Sequence, residues 1–228
     1  MELYTNSMLK DWKTCTNRYY FKYVKKISIP KSEENFELGR KVHAMISYYL
    51  NGFDMGIMER SAGEEVLKHY NSILRHPLLQ QEHFLSEWGF TVSVGNTANV
   101  FVGRIDAIFY DKETNKYTIA DWKTGMNIPK VAALDVQAQI YMYAFFRAQK
   151  DLGIEFEPED LSFVFVQTPS LNESRVDFSK ELYESFEQDF LSEIKAMQNC
   201  TQPLSAHDKP ACRFCEYRFM CEKQLILS

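Results

Sequence analysis

The first third of the chain carries apolar side chains at helical spacing. Apolar residues recur every three or four positions in three segments, and this pattern predicts a helix in each: residues 7–25, 34–51 and 57–76. Gly52 follows the second segment and suits the end of a helix. We therefore expect residues 1–80 to form a helical N-terminal part.

The pattern then changes to short apolar or alternating runs separated by turn residues. Such runs predict strands, here Phe84 to Val94, Val100 to Tyr110, Tyr117 to Trp122 and Leu161 to Thr168. Two further segments, residues 132–150 and 179–198, have helical spacing. The first three strands are joined by hairpin-length links and should run antiparallel, whereas a helix joins the third to the fourth, which should run parallel. The expected fold is α/β, a mixed central sheet flanked by helices.

Composition is typical of a globular protein, with 45% hydrophobic and 25% charged residues in 228. No linker divides the chain, so we expect one domain over residues 1–228, with a core at 82–198 and a cysteine-rich tail at 200–228. The net charge of −5 excludes a wholly basic nucleic-acid coat protein but leaves room for a local basic patch.

The chain shows no sign of membrane targeting. Its first residues lack the basic and apolar parts of a signal peptide. The longest apolar run, Ile140 to Phe146, has seven residues and is too short to span a bilayer. We expect a cytoplasmic protein with no membrane partner and with reduced cysteines.

Two carboxylates are predicted to meet on the hairpin of the second and third strands. Neighbouring strands lie about 5 Å apart, so Asp106 and Asp121 can share one face. Such a pair favours a hard divalent cation, Mg²⁺ or Mn²⁺. Lys123 is on the same strand face as Asp121 and could orient an attacking water. This set suits phosphodiester hydrolysis, although a cross-strand surface salt bridge explains the residues equally well.

The helix after the third strand offers polar residues one turn apart. Gln139 and Tyr143 are i, i+4 neighbours, and so are Gln137 and Tyr141, so spacing does not choose between the two pairs. In isolation, a core helix with a polar rim is the simpler interpretation. His43, in the second predicted helix, would in isolation be a structural histidine.

Four motifs occur in order along the chain: Gly39-x-x-x-His43, Gly103-Arg104-Ile105-Asp106, Ile119-Ala120-Asp121-Trp122-Lys123-Thr124-Gly125 and Gln139-x-x-x-Tyr143-Ala144. Together they resemble the motifs of RecB-like nucleases in the PD-(D/E)XK superfamily. The resemblance implies a restriction-endonuclease-like core and a divalent metal held by four groups: His43, Asp106, Asp121 and the carbonyl of Trp122. It gives Lys123 the water-orienting role and Gln139 and Tyr143 a supporting or DNA-positioning role. Glu87 matches an acidic position on the first strand.

Three cysteines cluster near the C-terminus as Cys212-x₂-Cys215-x₅-Cys221. This spacing is typical of soft-metal ligation, with Cys15 or Cys200 as a fourth ligand. Both zinc and an iron–sulfur cluster accept four cysteines, so spacing leaves the metal open.

The segment around Cys15 resembles the iron–sulfur subset of these nucleases, which includes the AddB nuclease domain and the fourth CRISPR-associated protein family. The resemblance implies a [4Fe–4S] cluster on Cys15, Cys212, Cys215 and Cys221, with Cys200 as a spare thiol. The short chain, without a helicase, is more similar to the CRISPR-associated family. That similarity implies trimming of DNA for spacer acquisition, with CRISPR integration proteins as partners.

Residues 10–31 are net +6, with seven basic residues against Asp11 (7 − 1). Aromatic residues interleave with the basic ones, a combination suited to single-stranded DNA. We expect Lys22, Lys25 and Lys26 to contact DNA. The alternative is an ordinary helix with its aromatics in the core and its lysines in water.

Two classes of function fit these observations. The first is a Mg²⁺- or Mn²⁺-dependent deoxyribonuclease, an exonuclease on single-stranded DNA or DNA ends. It would act in CRISPR spacer acquisition, or in repair or a phage context. The second is a catalytically idle DNA-binding module held together by a structural zinc or iron–sulfur site.

Overall fold

A mixed β-sheet forms the centre of the structure, a computed structural model that describes residues 1–30, 34–125, 127–202 and 210–221. Within these ranges the sheet has six strands. They are β1 (Glu2–Tyr4), β2 (Glu82–Ser93), β3 (Asn99–Asp111), β4 (Lys116–Lys123), β5 (Leu161–Gln167) and β6 (Glu173–Asp177).

The strand directions confirm the predicted topology. β2 and β4 pair antiparallel with opposite edges of β3, and β5 pairs parallel with β4. β1 runs parallel to the start of β3, and β6 runs antiparallel to β5. In the β3–β4 ladder Ala107 is opposite Ala120, so Asp106 and Asp121 are the next residues along. The fold is the expected α/β class.

Helices cover both faces of the sheet. They are α1 (Asn6–Thr14), α2 (Thr16–Tyr19), α3 (Glu34–Leu50), α4 (Gly56–Ser61), α5 (Glu64–Ile73), α6 (Val136–Arg147), α7 (Gln149–Leu152) and α8 (Lys180–Gln198). A π-helical turn, Tyr20–Val24, follows α2. Short 3₁₀ turns occur at Pro77–Gln80, Ala132–Leu134, Pro158–Asp160 and Pro210–Phe214.

Two predicted helices are divided in the structure. The helix expected over residues 7–25 breaks at Cys15, whose backbone is extended at φ −162° and ψ 115°. The helix expected over 57–76 breaks at Ala62 and Gly63, which are also extended. Apolar periodicity continued across both breaks, so the pattern alone did not reveal them. The first break leaves the Cys15 side chain partly exposed between α1 and α2.

The hydrophobic core has one layer on each face of the sheet. One layer packs β3, β4 and β5 against α6 and α8 and includes Ile119, Phe163 and Phe190. The other packs the sheet against α3 and α5 and includes Ile46 and Trp122. The site described below lies at the end of β4, where these two layers separate.

Part of the sequence-based picture lies outside the described residues: Lys31 of the basic segment, and residues 203–209 and 222–228 of the predicted cluster-binding tail. Within the ranges that the structure covers, no helix has the length and apolar character needed to cross a bilayer.

Candidate active site

Three possible metal ligands converge near the end of β4. His43 on α3, Glu87 on β2 and Asp106 on β3 place their ligand atoms within 4.8 Å of one another. Each side chain comes from a different element, so the fold itself assembles the group. Gly39, one turn before His43, allows this approach, because a Cβ there would lie 3.3 Å from Thr124 Oγ1 on the loop after β4.

His43 contacts both β3 and β4. Its Nε2 donates to the Trp122 carbonyl over 2.8 Å, and its Nδ1 lies 3.3 Å from Asp106 Oδ1. Burial opposes a charge on the ring, but Asp106, followed by Asp121, outweighs burial and raises the pKa of His43 to about 9. Asp106 Oδ2 also accepts the Trp122 backbone N–H at 3.0 Å. The imidazolium therefore partly compensates the charge of the carboxylates.

Asp121 and Lys123 form a second group with Gln137 of α6. Lys123 Nζ lies 2.6 Å from Asp121 Oδ2 and donates to Gln137 Oε1 over 2.9 Å. Gln137 Nε2 in turn donates to Asp121 Oδ1 over 2.5 Å. Burial, and then the charge of Asp106, raise the pKa of Asp121. The three side chains hold one another in a closed triangle.

These residues fit a divalent cation. Imidazole and carboxylate oxygens suit Mn²⁺ or Mg²⁺. Buried carboxylates near one another are costly without a cation, and burial together with Asp106 also raises the pKa of Glu87. Glu87 has a left-handed backbone, with φ 49°, and forms an ion pair with Arg104 at 2.7 Å. Such backbone strain costs about 1–3 kcal/mol and clusters at functional sites.

Gln139 and Tyr143, to which the resemblance gives a supporting or DNA-positioning role, have hydrogen-bond partners outside this group of residues. Gln139 Nε2 donates to the Ala133 carbonyl over 2.9 Å. Tyr143 donates to Glu187 over 2.7 Å, and its hydroxyl accepts the Gly95 N–H over 2.9 Å. Two positions along an α-helix turn the side chain by about 200°, so the register that brings Gln137 to Lys123 turns Gln139 and Tyr143 away.

Tyr141, one turn after Gln137, belongs to the site instead. Its ring is buried and packs edge-on against Phe90, with centroids 5.7 Å apart. Burial, and then the charges of Asp121 and Asp106, raise the pKa of its hydroxyl, which therefore stays protonated. The i, i+4 spacing of Gln137 and Tyr141 pointed to this pair, but Gln139 and Tyr143 have the same spacing, so the sequence did not choose between them.

A cleft of about 990 Å³ opens beside these groups. His43, Glu87, Trp122 and Lys123 line its inner part. Arg40 and Arg104 line its outer part and are exposed. The cleft thus combines candidate metal ligands with cationic side chains that can contact phosphates.

The two ends of the described chain meet beside α2, where Asn17 Nδ2 donates to Cys221 Sγ over 3.8 Å. Cys15, Cys212, Cys215 and Cys221 are free thiols, each partly exposed. Beyond the effect of burial, Cys15 raises the pKa of both Cys215 and Cys221, and Cys212 also raises that of Cys221. Cys215 and Cys221 pack against an aromatic cluster of Tyr20, Phe21 and Tyr217. This set of soft donors fits a metal or cluster that requires thiolates.

Cys200 also packs against this aromatic cluster. Its Sγ lies 3.9 Å from the Gln202 carbonyl, and burial alone raises its pKa. Cys200 thus packs on the same aromatic side chains as Cys215 and Cys221, and its assignment as a spare thiol stays a prediction.

The basic side chains of the N-terminal segment differ: some form ion pairs within the protein, and others are exposed. Lys22 contacts Asp11 at 2.7 Å, and Arg18 contacts the same carboxylate at 3.0 Å. Lys25 and Lys26 are exposed. Lys22 is therefore part of an ion-pair network, whereas a DNA contact by Lys25 or Lys26 stays a prediction.

A family model described as the PD-(D/E)XK nuclease superfamily matches residues 54–222, well over half of the chain. The protein therefore belongs to this superfamily and is a nuclease of the phosphodiester-hydrolase class. The match includes Asp106, Asp121 and Lys123, whereas His43 lies before it.

The fold resembles that of a solved structure. A protein from Eubacterium rectale, whose name gives a provisional assignment as an exonuclease, matches with a TM-score of 0.54 and 10% identity. That match covers 97% of this chain and 88% of the other. A second structure, SSO0001, has a TM-score of 0.39 and 17% identity over 95% of each chain. No curated protein sequence matches.

Proposed function

We propose that the protein is a Mg²⁺- or Mn²⁺-dependent deoxyribonuclease that cuts single-stranded DNA or DNA ends. The observation that carries the proposal is the Lys123–Asp121–Gln137 triangle beside the ligand group of His43, Glu87 and Asp106. A surface salt bridge between strands would not need a buried aspartate, and Asp121 is only 1% exposed.

The residues divide the chemistry between them. His43, Glu87, Asp106 and Asp121 would hold the cation, which when bound supplies Lewis-acid stabilisation and a more acidic water. Lys123 orients the attacking water and offsets negative charge that develops on the phosphate. Gln137 holds the Lys123 ammonium, and Arg40 and Arg104 contact flanking phosphates.

Exonuclease action is the mode that we favour. The provisional name of the Eubacterium rectale protein supports it. A role in CRISPR spacer acquisition, with CRISPR integration proteins as partners in the cytoplasm, rests on the resemblance carried by the cysteine motifs.

We also propose a [4Fe–4S] cluster on Cys15, Cys212, Cys215 and Cys221. Cys215 and Cys221 pack on the aromatic wall of Tyr20, Phe21 and Tyr217. Asn17 and Arg18, just after Cys15, contact Cys221 Sγ at 3.8 Å and Glu216 at 3.1 Å. These contacts hold the C-terminal thiols beside the Cys15 segment and support a shared centre. A cluster there would join α1 and α2 to the C-terminal segment and so act structurally.

The function is tested with end-labelled DNA in three forms: linear single strands, blunt duplexes and circular single strands. Each is incubated with anaerobically purified protein and Mn²⁺, or with EDTA. We expect Mn²⁺-dependent loss of linear single strands from one end, with circles intact. Cleavage of circular strands, which have no ends, would show that the protein is an endonuclease. DNA binding without any cleavage would favour the catalytically idle binding module.

A further inference from the structure

Two exposed aromatic side chains lie side by side next to the cleft: Tyr48 lines it, and Phe53 packs against Tyr48. Tyr48 is 43% exposed and Phe53 is 60% exposed. Their rings meet edge to face, with centroids 5.4 Å apart. Aromatic surface of this size is costly to leave in water, so its position beside a functional cleft suggests a ligand.

Local backbone geometry fixes this pair. Helix α3 ends with Gly52 in the left-handed region, at φ 74°. Phe53 N–H then donates to the Tyr48 carbonyl, and Gly52 N–H donates to the Tyr49 carbonyl, each over 3.0 Å. This is the Schellman arrangement, which brings the residue after the glycine against the last turn of the helix. Phe53 is therefore held against Tyr48 rather than free to move.

The pair is continuous with the proposed catalytic group. Arg40, Ala44 and Tyr48 follow one another at four-residue spacing, and all three line the cleft together with His43. Tyr48 is five residues beyond His43, about 7.5 Å along the helix axis. That distance corresponds to roughly two nucleotides of a stacked strand.

We propose that Tyr48 and Phe53 form a stacking subsite for an unpaired nucleobase, about two nucleotides from the phosphate that is cut. Arg40 and Arg104, on the same cleft, supply the positive charge that a nucleic-acid backbone requires. The inference rests on the proposed nuclease function and adds the basis of its strand preference. Bases inside a duplex are stacked on both faces, so an unpaired base can present its face to these rings where an internal base pair cannot.

Leucine substitutions separate this role from a purely structural one. Tyr48→Leu and Phe53→Leu keep an apolar contact at the end of α3 but remove the aromatic face. Tyr49→Leu is the matched control, because Tyr49 is 42% exposed on the same helix turn but packs edge-on against Tyr70, 6.3 Å away.

Binding is measured in EDTA, so that no strand is cut, by fluorescence anisotropy of a labelled single-stranded oligonucleotide. We expect Tyr48→Leu and Phe53→Leu to raise the Kd roughly 5- to 100-fold, the range for loss of one stacked base. Tyr49→Leu should stay within about twofold of wild type. In a second series, one abasic nucleotide is moved along the oligonucleotide. At one position it should weaken binding to the wild type as much as the Tyr48→Leu substitution does. At that position it should not weaken binding to Tyr48→Leu any further.

A 2-aminopurine base at that position reports stacking directly. Its fluorescence should be quenched by the wild type and by Tyr49→Leu but not by Tyr48→Leu. Unchanged Kd values in both leucine variants, or losses that do not depend on the abasic position, would overturn the subsite. If the wild type binds with this signature but never cuts DNA, the subsite stands and the nuclease proposal fails.

Discussion

Gln137 accepts a hydrogen bond from Lys123 over 2.9 Å and thereby links α6 to the end of β4. Asp121, 2.6 Å from the same ammonium, completes the contact from the strand itself. Asp135 caps α6 by accepting the Gln137 backbone N–H at 2.8 Å, so the start of the helix and the position of Gln137 are set together. The position of the proposed water-orienting lysine thus depends on where α6 begins.

Substitution of Gln137 should therefore impair catalysis. Gln137→Ala removes hydrogen bonds to two charged groups, Lys123 and Asp121. The bond to the lysine alone is worth about 1.5–3 kcal/mol, so the substitution should lower kcat roughly 10- to 100-fold. Gln139→Ala is the matched control on the same helix. It removes a bond to the Ala133 carbonyl and should cost about 1 kcal/mol of stability with little change in kcat. Steady-state rates and thermal unfolding check both, and equal kcat values in the two variants would contradict the assigned register.

Divalent cations should stabilise the folded protein. At 100 times its Kd, a cation that binds only the folded state adds about 2.7 kcal/mol, or roughly 5–10 °C in Tm for a chain of this length. Asp106→Asn should lose most of this shift because it removes a ligand. Lys25→Ala should keep the shift in Tm, because Lys25 is exposed and lies far from these ligands in sequence. Differential scanning calorimetry with Mn²⁺ and with EDTA measures the shift; an undiminished shift in Asp106→Asn would place the cation elsewhere.

The cysteine centre should join the two ends of the described chain. By analogy with a cross-link, closing a loop from Cys15 to Cys212 removes unfolded-state entropy worth roughly 5 kcal/mol. Anaerobically purified wild type should be brown, with broad visible absorbance that dithionite bleaches. Cys15→Ala should be colourless and poorly soluble, and Cys200→Ala should stay brown. A colourless wild type with stoichiometric zinc would refute the iron–sulfur assignment. If Cys15→Ala is brown and Cys200→Ala is colourless, the fourth ligand is Cys200 and not Cys15.

The exposed and ion-paired lysines should affect DNA binding differently. Neutralising Lys25 and Lys26 together should reduce the slope of log affinity against log salt by about 1.4, if each contacts one phosphate of a single strand. Lys22→Ala should change the slope less and stability more, because Asp11 loses a partner at 2.7 Å. Affinities measured from low to moderate salt test this. An unchanged slope in the double variant would show that this segment faces away from DNA.

The sequence predicted the parts of the site that depend on strand pairing. Strand periodicity and hairpin-length links were sufficient to bring Asp106 beside Asp121, because a ladder leaves few alternative registers. The register of α6 was not predictable in the same way, since both Gln137 and Gln139 have a tyrosine one turn later. Strand β6 was missed because Glu173–Asp177 is largely polar and only Val176 is buried.

Tertiary contacts also give Lys22 an ion-pair partner, while its predicted DNA contact stays a prediction. Its charge suggested a DNA contact, but the π-helical turn brings it back to Asp11, eleven residues earlier. Charge in a local segment does not reveal such a pairing, because the partner depends on how α1, α2 and the turn pack together.

The central claim is that Asp106, Asp121 and Lys123 form a nuclease centre. Its most direct test is the initial rate of nucleotide release from end-labelled single-stranded DNA by the wild type, Asp106→Ala, Asp121→Ala and Lys123→Ala. Circular dichroism and thermal unfolding confirm that each variant is folded, and Gln139→Ala serves as the active control. We predict Mn²⁺-dependent release by the wild type and losses of at least about 100-fold in all three variants. Wild-type rates in any of the three folded variants would contradict the assignment.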